Sequence, residues 1–249
     1  MSKKATAQFW DTAHRYLGHQ LKVIRQVSSH TIDSYRDCLN SFIDYLERVE
    51  NISRKKISFH NFGKETIKRY QTWMITEQGL APKTCNLRLT AIRSFLEYAA
   101  QEYLWLMPVY TDACTIAGVK TPNHAIEYFE PDEMTALLAA PSGTSRTDRR
   151  NQMMLIFLYD TAARVAEARQ VKVSDLHLDA GVPYVTLLGK GRKYRNIPLM
   201  EKTVLHLKRY LKDFHRSDPK TDLPLFYAKA HGLLHELSSD TFEKMIKRY

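Results

Sequence analysis

The chain has 249 residues, 44% of them apolar, with a net charge of +10 and only nine glycines and nine prolines. That is enough apolar material for one large domain or two compact ones, and it excludes a disordered or low-complexity polymer. The longest apolar run, Met153 to Tyr159, is seven residues against the roughly 20 that a membrane helix needs, and the opening MSKKATAQFW has no apolar stretch after its lysines, so neither a membrane span nor a secretory leader is predicted.

The three cysteines, Cys38, Cys85 and Cys114, are too widely spaced for a disulfide framework or a zinc site. They suit a reducing, cytoplasmic setting. The positive charge falls in two blocks. Residues 1–107 hold sixteen Lys/Arg and ten Asp/Glu, and residues 190–220 hold ten and three. Between them, residues 108–189 hold seven basic and ten acidic residues. A polyanionic partner fits this distribution.

In chain order, residues 5–25 give a weak helical pattern. Ile32, Tyr35, Leu39, Phe42 and Leu46 recur at alternating three- and four-residue steps, one face of a helix, with Ser28 and Ser29 placed to cap it. Lys64 to Glu77 reads as a third helix carrying Ile67, Tyr70 and Met74. Pro82 suits the first turn of a fourth, which carries Leu89, Ile92, Leu96, Ala99 and Tyr103. Residues 107–128, with Pro108, Gly118 and Pro122, break the periodicity and predict a linker.

Glu130-Pro131-Asp132-Glu133 opens a new helix. Arg149 to Tyr159, apolar almost all round, predicts a buried one. After Asp175 the pattern changes. Val182 to Leu188 and Tyr194 to Leu199 read as two strands of a hairpin joined by Gly189-Lys190-Gly191-Arg192-Lys193. Helices resume at Glu201–Asp213 and Ser239–Tyr249, with Leu223 to Tyr227 a short strand.

Two stretches carry chemistry. Tyr159-Asp160-Thr161-Ala162-Ala163-Arg164-Val165-Ala166-Glu167 runs a buried helix into small residues and then presents an arginine. Leu188 to Leu199 forms a hairpin with an almost wholly basic tip. A guanidinium offers a phosphate two parallel charge-assisted bonds, and a lysine on the tip reaches a phosphate or the oxygen leaving it. Taken singly, an arginine near a helix end is usually a solvated charge, and basic turns usually keep hairpins soluble. The pair in this order favours function.

Together with Ser174-Asp175-Leu176, these strings resemble the first arginine box and the catalytic hairpin of the tyrosine recombinases, the phage integrase family. The first half is similar to their SAM-like core-binding domain, at Thr31-Ile32-Asp33-Ser34-Tyr35 and Lys83-Thr84-Cys85-Asn86-Leu87-Arg88-Leu89. The resemblance implies a mainly α fold with a small β-sheet. Residues 1–107 are then a helical DNA-clamping domain, 108–125 a linker, and 126–249 the first part of a mixed α/β catalytic domain, with duplex DNA gripped between the two domains. It also implies roles by position. Arg164 holds the scissile phosphate, Lys190 protonates the departing 5′-hydroxyl, and Glu167 supports the arginine. Lys83, Thr84, Arg88, Arg192, Lys193 and Arg195 are expected at the DNA. The reaction implied is strand cleavage and rejoining through a phosphotyrosyl bond, with other recombinase protomers as further partners.

No cofactor and no metal are expected. Arginines supply the charge that a metal otherwise would, and no carboxylate cluster suits Mg²⁺. His231 and His235 lie four apart, but Gly232 argues against a helix there and no third ligand is evident. The aromatic residues mostly sit at core spacing, so packing is expected of them rather than stacking on bases.

The family pattern also needs a His-x-x-Arg box, a later His or Trp and a nucleophilic tyrosine. One such string exists, His206-Leu207-Lys208-Arg209, followed by Tyr210. It lies inside the helix after the hairpin, where Leu205, Leu207 and Leu211 predict a structural role. Tyr249 follows nothing like the box. The expectation is a chain that stops short of the second half of the site and is inactive alone. The rival expectation is a non-catalytic DNA-binding remnant or competitor at recombination sites. An unrelated RNA-binding protein is a third reading, distinguished by a preference for RNA over duplex DNA.

Overall fold

The computed structural model describes residues 3–122, 127–189, 191–215, 222–230 and 233–249, and the chain divides into two compact units, Met1–Ala125 and Ile126–Tyr249.

The first unit is helical. Helix α1 (Lys3–Arg15) continues into a π-helical stretch, Tyr16–Ile24, in which Arg25 N–H donates to the Gln20 carbonyl at 2.8 Å. Helix α2 (Ser29–Arg48) starts on Ser28, whose hydroxyl accepts the Thr31 N–H at 3.2 Å. That cap satisfies one of the donors a helix start leaves open. Helix α3 is Lys64–Thr76, and helix α4 is Pro82–Glu102 with its proline in the first turn. The predicted periodicity is what packs. Ile32, Leu39, Phe42 and Leu46 of α2 and Leu89, Ile92, Leu96 and Ala99 of α4 are buried. They close over an aromatic core of Phe9, Tyr16, Phe42, Tyr45, Phe62, Tyr70 and Phe95.

The expected linker departs from the sequence reading. Met107–Cys114 is a helix, α5, with Pro108 in its first turn. It and the chain after it are tied to α4. Arg93 Nε donates to the Ala113 carbonyl at 3.0 Å and its Nη2 donates to the Ile116 carbonyl. Asn86 accepts the Val119 N–H at 2.7 Å and donates to the Val119 carbonyl at 2.9 Å. A proline in a first turn starts a helix as readily as it breaks one, and eight residues are too few for periodicity to announce.

The second unit is mixed. Helices α6 (Pro131–Ala139) and α7 (Arg146–Thr161) lead into a short helix α8 (Val165–Gln170). Strands β1 (Leu176–His177), β2 (Tyr184–Leu188) and β3 (Tyr194–Pro198) form an antiparallel sheet in that order. The β2–β3 register pairs Leu188 with Tyr194 and Tyr184 with Pro198. Val182, expected in the strand, lies outside it and is exposed. Helix α9 (Glu201–His215) follows, and then a second hairpin, β4 (Tyr227–Ala230) with β5 (Leu233–Glu236), before helix α10 (Ser239–Arg248).

Only one short strand was expected in that last region, over Leu223 to Tyr227. Instead, residues 223–225 run beside 171–173, with Leu225 N–H on the Val171 carbonyl at 2.7 Å and Val173 N–H on the Leu223 carbonyl at 3.0 Å. Strand β4 begins at Tyr227. Ala, Lys, His and Glu are poor strand formers, which hid the second hairpin. The core of this unit gathers Met154 and Phe157 of α7, Val185 and Leu187 of β2, Leu207 of α9, Phe226, and Phe242 of α10. Among the described residues no helix is long and apolar enough to cross a membrane.

Candidate functional site

Helix α7 delivers the first element of the site. It is buried along Met153, Met154, Leu155 and Phe157, although Tyr159, expected inside, is exposed. It stops at Thr161, whose hydroxyl donates to the Phe157 carbonyl at 2.6 Å and accepts the Ala163 N–H at 3.3 Å. The chain then turns through Ala162 in the left-handed region, at φ 46°. That conformation is unfavourable for a residue with a Cβ, and it throws the chain sharply from one helix to the next. Asp160 fixes the far side of the turn by accepting the Met200 N–H, at 3.0 Å, just before α9.

Arg164 stands at the start of α8 and Glu167 one turn inside it. The Glu167 carboxylate reaches back to the Arg164 backbone N–H at 2.9 Å and to its Nη1 at 2.9 Å. From strand β3, Arg195 adds Nη1 to Oε1 at 2.8 Å and Nη2 to Oε2 at 2.7 Å. Glu167 is only 4% exposed, whereas the Arg164 side chain is 73% exposed. The hydrogen bonds from Arg195, more than any other cause, hold the Glu167 carboxyl down to about 2, against the upward push of burial. The carboxylate is therefore charged at any ordinary pH. It holds one terminal nitrogen of the Arg164 guanidinium, Nη1, and leaves the rest of that group open to an external anion.

The hairpin meets the same cluster. Gly189 N–H donates to the Lys193 carbonyl at 2.8 Å, closing the turn. Gly191 and Arg192 both adopt positive φ, 75° and 57°. Lys190, the expected proton donor, lies outside the described residues, as does His231 of the weighed histidine pair. Arg192 and Lys193 are exposed on the tip. No group of three or more His, Cys, Asp or Glu side chains among the described residues is arranged to hold a metal ion.

The structure thus brings together Arg164, Glu167 and Arg195. It puts Arg195 on Glu167 rather than on the open face of the hairpin. The signal was in the strand's alternation, since Arg195 shares its side with half-buried Ile197, not with exposed Tyr194. In the first unit, Lys83 is exposed on α4, and Thr84 and Arg88 are half-buried. Arg88 lies beside Cys38 and Tyr70; burial pushes both of those groups' pKa values up, and the guanidinium opposes the shift.

The one His-x-x-Arg string lies on α9, with Leu207 buried and His206 and Arg209 exposed. Leu207 and Leu211 of α9 are buried as expected, but Leu205 is 68% exposed and so contributes nothing to that packing. Tyr210 is buried, with its hydroxyl on the Leu225 carbonyl at 3.2 Å, and burial raises the pKa of its phenol. The Tyr249 hydroxyl is engaged by Asn151 Nδ2 at 3.3 Å.

Comparison with known proteins follows the same lines. Residues 127–249 match the phage integrase family, and residues 14–103 match the phage integrase N-terminal SAM-like domain. Tyrosine recombinase XerD of Halalkalibacterium halodurans is 33% identical over 234 residues, covering 92% of this chain and 73% of that protein. A putative integrase/recombinase, y4rC of Sinorhizobium fredii, is 31% identical over 194 residues, covering 78% of this chain and 58% of that protein. The chain is thus shorter than the curated relatives it matches. Among solved structures, XerH recombinase bound to its difH substrate superposes with a TM-score of 0.62 at 20% identity, over 90% of this chain and 62% of that one. A lambda integrase tetramer bound to a Holliday junction gives 0.65 at 16% identity, over 100% and 69%. These likenesses show the fold.

Proposed function

The chain belongs to the phage integrase family of tyrosine recombinases, and from that premise we propose that it binds duplex DNA and holds one backbone phosphate on Arg164. The observation that carries this reading is an exposed guanidinium held at one terminal nitrogen by a buried, ionised carboxylate. Phosphoryl transfer is catalysed mainly by positioning and by stabilising charge on the non-bridging oxygens. Arg164 supplies that charge, Glu167 orients it, and Lys190 gives its proton to the 5′-oxygen as it leaves, releasing a 5′-hydroxyl. The attacking group in such a reaction is a tyrosine, which forms a 3′-phosphotyrosyl bond and later passes the strand to a partner duplex. Lys83, Thr84, Arg88, Arg192 and Lys193 contribute contacts to the DNA, and other recombinase protomers share it. Relatives of the same fold solved on DNA, such as XerH on difH and lambda integrase on a junction, support the choice of partner.

A second reading concerns the 249-residue polypeptide itself. Tyr210, next to the one His-x-x-Arg string, is buried and hydrogen-bonded, which favours a chain that occupies recombination sites without cutting them.

Duplex binding measured against salt concentration tests the first reading. Affinity should fall steeply with salt, and Arg164→Ala should weaken it and reduce the log–log slope by about 1; binding indifferent to Arg164 would overturn it. Incubation with a nicked duplex, resolved under denaturing conditions, tests the second. No covalent adduct is expected, and a clear one would refute it.

A further inference from the structure

The geometry points to Arg195 as a positioning residue: its two bonds to Glu167 join strand β3 of the hairpin to the turn that carries Arg164, and so set the spacing between the hairpin and the short helix α8. The inference rests on the proposed role of Arg164 and adds the part that ties the hairpin to it.

The bond inventory carries the argument. An ionised carboxylate offers about four acceptor positions. At Glu167 all are filled: Oε1 takes Arg164 Nη1 at 2.9 Å and Arg195 Nη1 at 2.8 Å, and Oε2 takes the Arg164 backbone N–H at 2.9 Å and Arg195 Nη2 at 2.7 Å. Two of the four come from the short helix and two from the hairpin strand. Removing Arg195 opens two positions on a carboxylate that water barely reaches. The Arg164 guanidinium, already on Oε1 through Nη1, would fill them by adding its other nitrogens, and would turn its free edge away from a phosphate. Arg195 thus keeps the rest of the Arg164 guanidinium free as well as anchoring the hairpin.

Gly189 supplies an independent observation from the hairpin side. A Cβ built there would lie 3.3 Å from Arg195 Nη1, 3.3 Å from the Lys193 carbonyl and 3.4 Å from Glu167 Oε1. The backbone at Gly189 is therefore packed against the Arg195–Glu167 pair, so that even a methyl there would press on it. A shift of the pair moves the start of the tip, and a shift of the tip disturbs the pair. A lysine at position 195 keeps the charge but cannot present the planar fork.

Two measurements on the full chain test this. The first needs no DNA. With Cys114, the exposed thiol, replaced by serine, and Cys38 and Cys85 buried, spin labels at Ala166→Cys and Lys193→Cys report the distance between the short helix and the hairpin. We expect one narrow distribution that at least doubles in width in both R195A and R195K; an unchanged width in R195A, or a width fully restored by lysine, overturns the proposal. The second is a double-mutant cycle on affinity for a generic duplex. R195A should weaken binding about tenfold when Arg164 is present and add nothing in R164A, whereas losses that simply add would make Arg195 a DNA contact in its own right and overturn the positioning role. G189A, which presses on the same pair from the hairpin, should weaken binding in the same Arg164-dependent way. Should the chain bind no DNA at all, the DNA reading falls, and the spin-label widths still decide whether Arg195 sets the spacing.

Discussion

The hydroxyl of Tyr210 donates to the carbonyl of Leu225 at 3.2 Å, and the same carbonyl lies 2.9 Å from His215 Nε2. Burial lowers the pKa of His215, so its ring is neutral near pH 7 and donates as well. Leu225 therefore keeps a partner when Tyr210 loses its hydroxyl. Tyr210→Phe should cost at most about 1 kcal/mol in thermal unfolding and leave duplex binding unchanged. A large loss of binding would mean that this tyrosine faces the DNA.

Glu167 makes the second unit acid-sensitive in a defined window. Its carboxyl is held at about 2, from an ordinary value of 4.5. A depressed folded-state value contributes stability that is fully present above pH 4.5 and is lost as pH falls from there through 2. The contribution is on the order of 2–3 kcal/mol. Glu167→Gln should remove it at neutral pH and flatten the dependence over that window, as read by chemical denaturation at several pH values. A wild-type stability that does not change between pH 5 and 2.5, about the ends of the window, would contradict the ion-pair account.

Ala162 stores backbone strain at φ 46°. Glycine adopts this conformation without penalty but loses more freedom on folding. Ala162→Gly should therefore be neutral or stabilising by up to about 1 kcal/mol, while Ala162→Val should destabilise by more than about 1 kcal/mol. Denaturation midpoints of the two variants check the ordering.

Asn86 closes two bonds on Val119, and a Cβ at Gly118 would come within 2.9 Å of its Oδ1. Asn86→Ala should release the chain after Ile116 while α4 stays intact. Amide exchange should speed up at residues 117–120 and stay slow at Leu89, Ile92 and Leu96. Equal protection of residues 117–120 in both proteins would show that other contacts hold them.

Lys83 and Arg88 should behave differently although they lie on one helix. Lys83 is exposed, so Lys83→Ala should weaken duplex binding and leave the melting temperature within about 1 °C, since surface changes usually cost little. Arg88 is half-buried beside Cys38 and Tyr70, so Arg88→Ala should lower both binding and stability.

The long helices of the first unit were legible because their periodicity is what packs: Leu39, Phe42, Leu89 and Ile92 are buried where the pattern put them. The hairpin was legible from its glycine-rich turn. Helix α5 was not, because it is short and opens on the same proline that read as a breaker. The second hairpin was not, because Ala228, Lys229, His235 and Glu236 carry little strand preference. At the site, Arg164 and Glu167 stood out in the sequence. The partnership of Glu167 with Arg195 spans 28 residues, and no local pattern reports a contact at that separation. Only the alternation along β3 hinted that Arg195 faces inward.

The π-helical run Tyr16–Ile24 sets the rotational phase of everything before it. A wider winding accommodates what amounts to an extra residue relative to an α-helix, so the chain upstream keeps its facing despite it. Deleting one residue between positions 16 and 24 would let the stretch rewind to the tighter form with α1 facing nearly as before, whereas a deletion between Phe9 and Arg15 would turn the start of α1 by about 100°. Phe9, which meets Phe59, Phe62 and Phe95 at ring separations of 5.4 to 5.8 Å, would in that case swing toward solvent. In this first unit the effect of a single-residue deletion therefore depends on whether a wide turn is there to absorb it.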